Sequence, residues 1–151
     1  MTNETEFDLS SILDGTLDAL ADAPTYEPFH PGSHRALLKF EGYKGKTIVI
    51  NKMPFIAAKF TLVETVELND SSLTPQVPGS TSDAMFNMAN EYGQGDLKNV
   101  LAPLAAHFNT PNNRATMEAA EGAEVLIITD VRVDSKNKDK KYLQIKEISV
   151  I

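Results

Sequence analysis

The C-terminal end of the chain constrains the fold most. "EVLIITDVRV" (124–133) and "KYLQIKEISVI" (141–151) are rich in β-branched and apolar residues, as strands prefer. They are joined by "DSKNKDK" (134–140), which contains no apolar residue. Two strands linked by so short a polar stretch pair antiparallel, as a hairpin with a long tip. An isolated hairpin is marginal in water, so the rest of the chain must supply a sheet for it to join.

That sheet is legible upstream. In "SHRALLKFEGYKGKTIVINK", Ala36, Leu38 and Phe40 alternate with Arg35, Leu37 and Lys39. The two glycines of "EGYKGK" suit a turn, and Ile48, Val49 and Ile50 start a second strand. "MPFIAAKFTLVETVEL" then reads as one long bent strand or two, with Pro54 marking an edge, bulge or break, and with Phe60, Leu62, Val66 and Leu68 on one face. "NDSSLTPQVPGSTSD" is a loop. The region 81–121 reads as a helical insert. "DAMFNMANEYGQG" is a short helix capped by Thr81 or Ser82 and ended at Gly93 or Gly95. A second helix starts at Asp96 as N-cap and is kinked or split by Pro103, and a third short helix stops at Gly122.

The expected class is mainly β with a helical insert. About five strands, with a helix between the third and fourth, suit a five-stranded Greek-key barrel of the oligonucleotide-binding (OB) type. An α+β antiparallel sheet with helices on one face satisfies the same string. The expected division is an acidic amphipathic N-terminal arm, 1–28, and an OB-like domain, 29–151. In the arm, Leu9, Ile12, Leu13, Leu17 and Leu20 fall at helical spacing. An isolated helix of this length is marginal and needs a surface, either its own domain or a partner.

Charge is unevenly placed. The chain holds 21 acids and 14 bases. Seven of the acids and no base fall in 1–28, so the remainder is neutral. Arg35, Lys39, Lys44, Lys46, Lys52 and Lys59 lie in 34–60 with Glu41 as the one acid. Arg132, Lys136, Lys138, Lys140, Lys141 and Lys146 lie in 131–146. In an OB barrel the loops that grip a ligand follow the first strand and join the last two. Both basic stretches fall at those loops, where ammonium groups would neutralise phosphates. The competing reading is a solvated hairpin whose lysines keep its edge from pairing. Tyr43, Phe55 and Tyr142 are the candidate base-stacking rings, with Phe29 a weaker one. Each has a core residue as its alternative. Tyr142 points outward if Leu143 and Ile145 point in.

Catalytic chemistry is not legible. There is no cysteine, hence no disulfide, thiolate metal site or cysteine nucleophile. His30 and His34 are four apart, but "HPGSH" is no helix and no carboxylate accompanies it, which argues against a metal site. Neither a phosphate-cradling glycine loop nor a Ser-His-Asp order is present. No enzyme and no cofactor is expected. Nothing reads as a signal peptide or a bilayer span, so the expected location is cytoplasmic, with no membrane partner.

The leader "FDLSSILDGTLDALADAPTYEPFHPGSH" and the ending "VLIITDVRVDSKNKDKKYLQIKEI" resemble those of bacteriophage-encoded single-stranded DNA-binding proteins of the OB type. The resemblance is one of pattern across most of the chain. It implies sequence-tolerant binding of single-stranded DNA during phage replication, recombination or transcription, in the host cytoplasm, beside phage or host proteins of those processes. On the charge pattern the expected phosphate contacts are Arg35, Lys39, Lys44, Lys46, Lys136, Lys138, Lys140, Lys141 and Lys146, with Lys52 and Arg132 as further expected nucleic-acid-binding residues. The chain departs from many single-strand binders in carrying its acids at the N-terminus and ending in apolar "ISVI". The alternative function is a non-enzymatic adaptor that binds proteins through the arm and the helical insert. Oligomeric state and the choice between DNA and RNA stay open.

Overall fold

A computed structural model describes residues 13, 15–16, 27–45, 47–136 and 140–151. The arm expected over 1–28 therefore lies almost wholly outside the described residues, as do Lys46 and Lys138.

The described residues are mainly β, and between Gly32 and Val150 they form an antiparallel sheet and two helices. Its strands are β1 (Gly32–Glu41), β2 (Ile48–Ile50), β3 (Met53–Leu68), β4 (Thr81–Asn87), β5 (Glu124–Val133) and β6 (Lys141–Val150). The helices α1 (Glu91–Phe108) and α2 (Asn113–Ala119) lie between β4 and β5. The long β3 organises the sheet. Residues 57–61 pair with both β1 and β4, so those two strands occupy opposite edges of β3. Phe55 pairs with both Ile48 and Asn87, so β2 continues on the β1 side. Beyond β1 come β5 and then β6. The sheet coils enough to bring β4 near β6, without a ladder between them.

The coiling has a local cause. The β1–β3 register skips Val63 and Val66, and the β5–β6 register skips Lys146. Each extra residue is a bulge that bends its strand and increases its twist. Each also reverses the inward–outward alternation. Thus Leu143 faces the core before the bulge and Ile148 after it, while Val66, expected on the apolar face, is exposed. Inside the curve, Leu38, Phe40, Phe60, Leu62, Val125 and Ile127 pack against Val100, Leu101 and Leu104 of α1.

Three expectations for the insert are corrected. Residues 81–87 form β4 and not a helix. Ser82, Ala84 and Phe86 are buried while Thr81 and Met85 are exposed, which is strand alternation. The helix-favouring Ala and Met were overridden by pairing to the free edge of β3. Second, α1 starts at Glu91 with Asn90 as its cap, and not at Asp96; the Asn90 side chain accepts from the Tyr92 N–H at 2.7 Å. Third, α1 runs unbroken through Pro103. Proline removes the bond to the Asn99 carbonyl, but Asn99 and Pro103 both lie on the exposed side, where water replaces it. Leu97, Val100, Leu101 and Leu104 hold the other side to the core.

His34 is fully buried on β1. Its Nε2 lies 2.7 Å from the His30 carbonyl, which only accepts, so Nε2 carries the proton. Its Nδ1 then accepts from the Thr65 hydroxyl at 3.0 Å. Burial pushes its pKa below the ordinary imidazole value of 6.5, opposed by the His30 carbonyl bond. The unfolded chain thus binds the proton more readily than the fold. The stabilisation is present above pH 6.5 and is lost as pH falls through the lowered folded value. Urea midpoints taken between pH 7.5 and 5.0 should fall, and His34→Gln should flatten that dependence.

Candidate nucleic-acid interface

Between β4 and β6 the coiled sheet leaves a cleft of about 730 Å³. One wall is Asp83 to Asn87 of β4, with Phe55 beside it on β3. The other is Lys140 to Ile145, with Arg132 beside it on β5. Asp96 and Asn99 of α1 complete the lining. Tyr142 stands opposite Arg132 in the β5–β6 ladder and turns outward, as expected from an inward Leu143. Met85 and Phe55 are the apolar outward residues of the facing wall.

Tyr142 is 42 % exposed. Its hydroxyl donates to Asp134 Oδ2 at 3.3 Å, while the other Asp134 oxygen accepts from the Lys136 N–H at 2.8 Å. Asp134 therefore links the Tyr142 hydroxyl to the backbone of Lys136. Partial desolvation, and then the Asp134 charge, push the Tyr142 pKa up, so the ring stays neutral. Arg132, Lys140 and Lys141 supply three cations to the lining, against the carboxylates of Asp83 and Asp96. Desolvation raises the Asp83 pKa, with Glu41 adding to it and Lys59 opposing it.

Five expected site residues thus meet at one place: Phe55, Arg132, Lys140, Lys141 and Tyr142. The other expected residues among those described do not line the cleft. Arg35 is clamped between Glu64, at 2.9 Å, and Glu124, whose Oε2 accepts from both Nε and Nη2. Two carboxylates share this guanidinium, which makes it a cross-strand tie between β1, β3 and β5. Lys44 pairs with Glu121 at 3.3 Å and lies over the Tyr43 ring. Tyr43 packs against the core, and its carbonyl accepts from Arg114 at 2.9 Å. The first basic loop is therefore docked on the α2 end of the domain. Lys39 is exposed on β1 opposite Lys59. Lys136 is exposed on the tip, and Lys146 is the bulged residue of β6. Phe29 is core.

Lys52 is placed differently again. With Asn51 it forms the two-residue turn between β2 and β3, at φ 51° and 65°. Such a turn needs positive φ at both positions and favours Asn-Gly. A lysine there is strained by roughly 1–2 kcal/mol relative to an ordinary conformation.

Met85, Asn87, Asp96, Asn99 and Gln144 were not foreseen. Met85 and Asn87 were hidden by the helical reading of 83–95. Only the alternation of Ser82, Ala84 and Phe86 in the sequence pointed to their outward face. Among the described residues no group of three metal-ligating side chains gathers, and no helix is long and apolar enough to cross a membrane. The chain matches no protein-family model and no curated protein.

Proposed function

We propose that this protein binds single-stranded DNA, without sequence preference, in the β4–β6 cleft. The observation that carries the reading is the convergence of two rings and three cations, from two distant stretches of sequence, on one open cleft. Bases stack on aromatic faces of any sequence, and phosphates pair with ammonium and guanidinium groups. The sheet itself is read as an open form of the OB barrel. Its support is the strand order β4-β3-β1-β5-β6, the helices between β4 and β5, and the approach of β6 to β4. The resemblance to phage single-strand binders adds the setting: coating or local binding of DNA during phage replication, recombination or transcription.

Anisotropy of labelled oligo-dT and of its duplex, at several salt concentrations, tests the reading. Tight, salt-sensitive binding to the single strand with weak duplex binding is expected. Replacing Arg132, Lys140 and Lys141 together by alanine should reduce the log–log salt slope by about 2, at roughly 0.7 per phosphate contact on a single strand. Absence of oligo-dT binding at low salt would defeat the proposal. That result would favour the adaptor reading, which has one observation behind it: a second groove, beside α1, lined by Met88, Leu97, Leu101, Ala102 and Ala105 among others.

A further inference from the structure

The β2–β3 hairpin exposes apolar side chains at its tip. Val49 is 62 % exposed, and Ile50 and Met53 are 44 % exposed each. The register sorts them by face. Ile50 pairs with Met53 and Ile48 with Phe55, so these four share one face. Val49 pairs with Pro54 on the opposite face. A surface that docks on a partner is apolar on one side. This hairpin is apolar on both, as an element inserted between two apolar planes would be. The first face also runs without a break into the cleft, because Phe55 lines it. The stem is tied to β4, where the Asn87 amide donates to Met53 Sδ at 3.1 Å. The tip is cationic, with Lys52 in a left-handed conformation that glycine would fill more readily. No acid occurs between Gly42 and Val63 to repel a polyanion.

We propose that this hairpin is an intercalating wedge. At a junction between paired and unpaired DNA it inserts Val49, Ile50 and Met53 between bases, with Lys52 on the adjoining phosphate, and so speeds separation of the strand that enters the cleft. The inference rests on the single-strand reading above. Apolar side chains driven between base steps unstack them and kink the duplex. A protein that only captures exposed strand opens a duplex no faster than it frays. A wedge adds rate at the fork itself.

The test is the opening rate of a forked duplex labelled with a fluorophore and quencher at the fork, with oligo-dT anisotropy measured in parallel. Val49→Thr/Ile50→Thr keeps β-branched residues, so the hairpin still forms, but makes its tip polar. This variant should open the fork about tenfold more slowly than the wild type, the equivalent of part of one unstacking step, while binding oligo-dT within about twofold. Equal opening rates in the two proteins, with oligo-dT binding intact, overturn the wedge and leave the single-strand reading standing. Loss of oligo-dT binding in the variant also overturns it, since the hairpin would then belong to the binding site itself. A wild type that binds no oligo-dT removes both readings. Sedimentation with phosphatidylserine vesicles that the variant loses, without a change in fork opening, assigns the apolar tip to a membrane surface instead.

Discussion

On the proposed function, Phe55→Ala combined with Tyr142→Ala is expected to lower affinity for a single-stranded oligonucleotide by about 30-fold to 10⁴-fold. The range follows from roughly 1–3 kcal/mol per stacked base and 1.4 kcal/mol per tenfold in affinity. The salt slope should not change, because neither ring carries charge to a phosphate. Phe55 comes from β3 and Tyr142 from β6, on the two walls of the cleft. Tyr142→Phe separates stacking from loop order. It keeps the ring and removes only the hydroxyl that donates to Asp134. Affinity close to the wild type is expected from it. If Tyr142→Phe binds as weakly as Tyr142→Ala, the hydroxyl's hold on the tip matters and stacking does not.

Two glycines in the first turns of α1 should give opposite results. A Cβ on Gly93 would overlap the Asn87 carbonyl oxygen and lie 2.8 Å from the Asn87 nitrogen. Backbone cannot swing aside as a side chain does, so the helix must lift from the end of β4. Overpacking of this kind is worth about 1–3 kcal/mol, from which the better helix propensity of alanine subtracts up to ~1 kcal/mol. Gly95 meets nothing within 4 Å. There Gly95→Ala gains the propensity term alone, roughly 0.8–1 kcal/mol. At about 2–4 °C per kcal/mol for a domain of this size, thermal melts should show Gly93→Ala lower than wild type and Gly95→Ala higher. Gly93→Ala melting at or above the wild type would show that α1 does not rest on the β4 backbone. The same displacement carries Asp96 and Asn99, so Gly93→Ala should also weaken oligo-dT binding, whereas Gly95→Ala should not.

The close approach at Gly93 marks the limit of what the sequence displays. The strands β1, β3, β5 and β6 were legible because each is a run of ten or more residues rich in apolar side chains. The lysine tip was legible because nothing apolar lies between two apolar strands. Residues 81–87 were not. Their alternation is short and made of Ser82, Ala84 and Phe86, among residues that favour helices. The edge of β3 that recruits them is 20 to 32 positions away in sequence. Pro103 misled for a related reason. A local rule predicts a break, but the helix there is held by Leu97, Val100, Leu101 and Leu104 on a core built by distant strands.

The candidate site divides in the same way. Lys140, Lys141, Tyr142 and Arg132 are neighbours in a hairpin, so chain connectivity alone brought them together. The neutralisation of Arg35 by Glu64 and Glu124, and of Lys44 by Glu121, depends on partners 29 to 89 positions away. No spacing rule exposes such pairs. What the sequence by itself determined is which residues alternate, where the chain turns and where cations are concentrated, because those properties are set within a few residues. What only the tertiary structure decided is which cations remain available and that Phe55 faces Tyr142 across a cleft. The bulges at Val63, Val66 and Lys146 coil the sheet, and coiling is a sum over the whole sheet that no short segment contains.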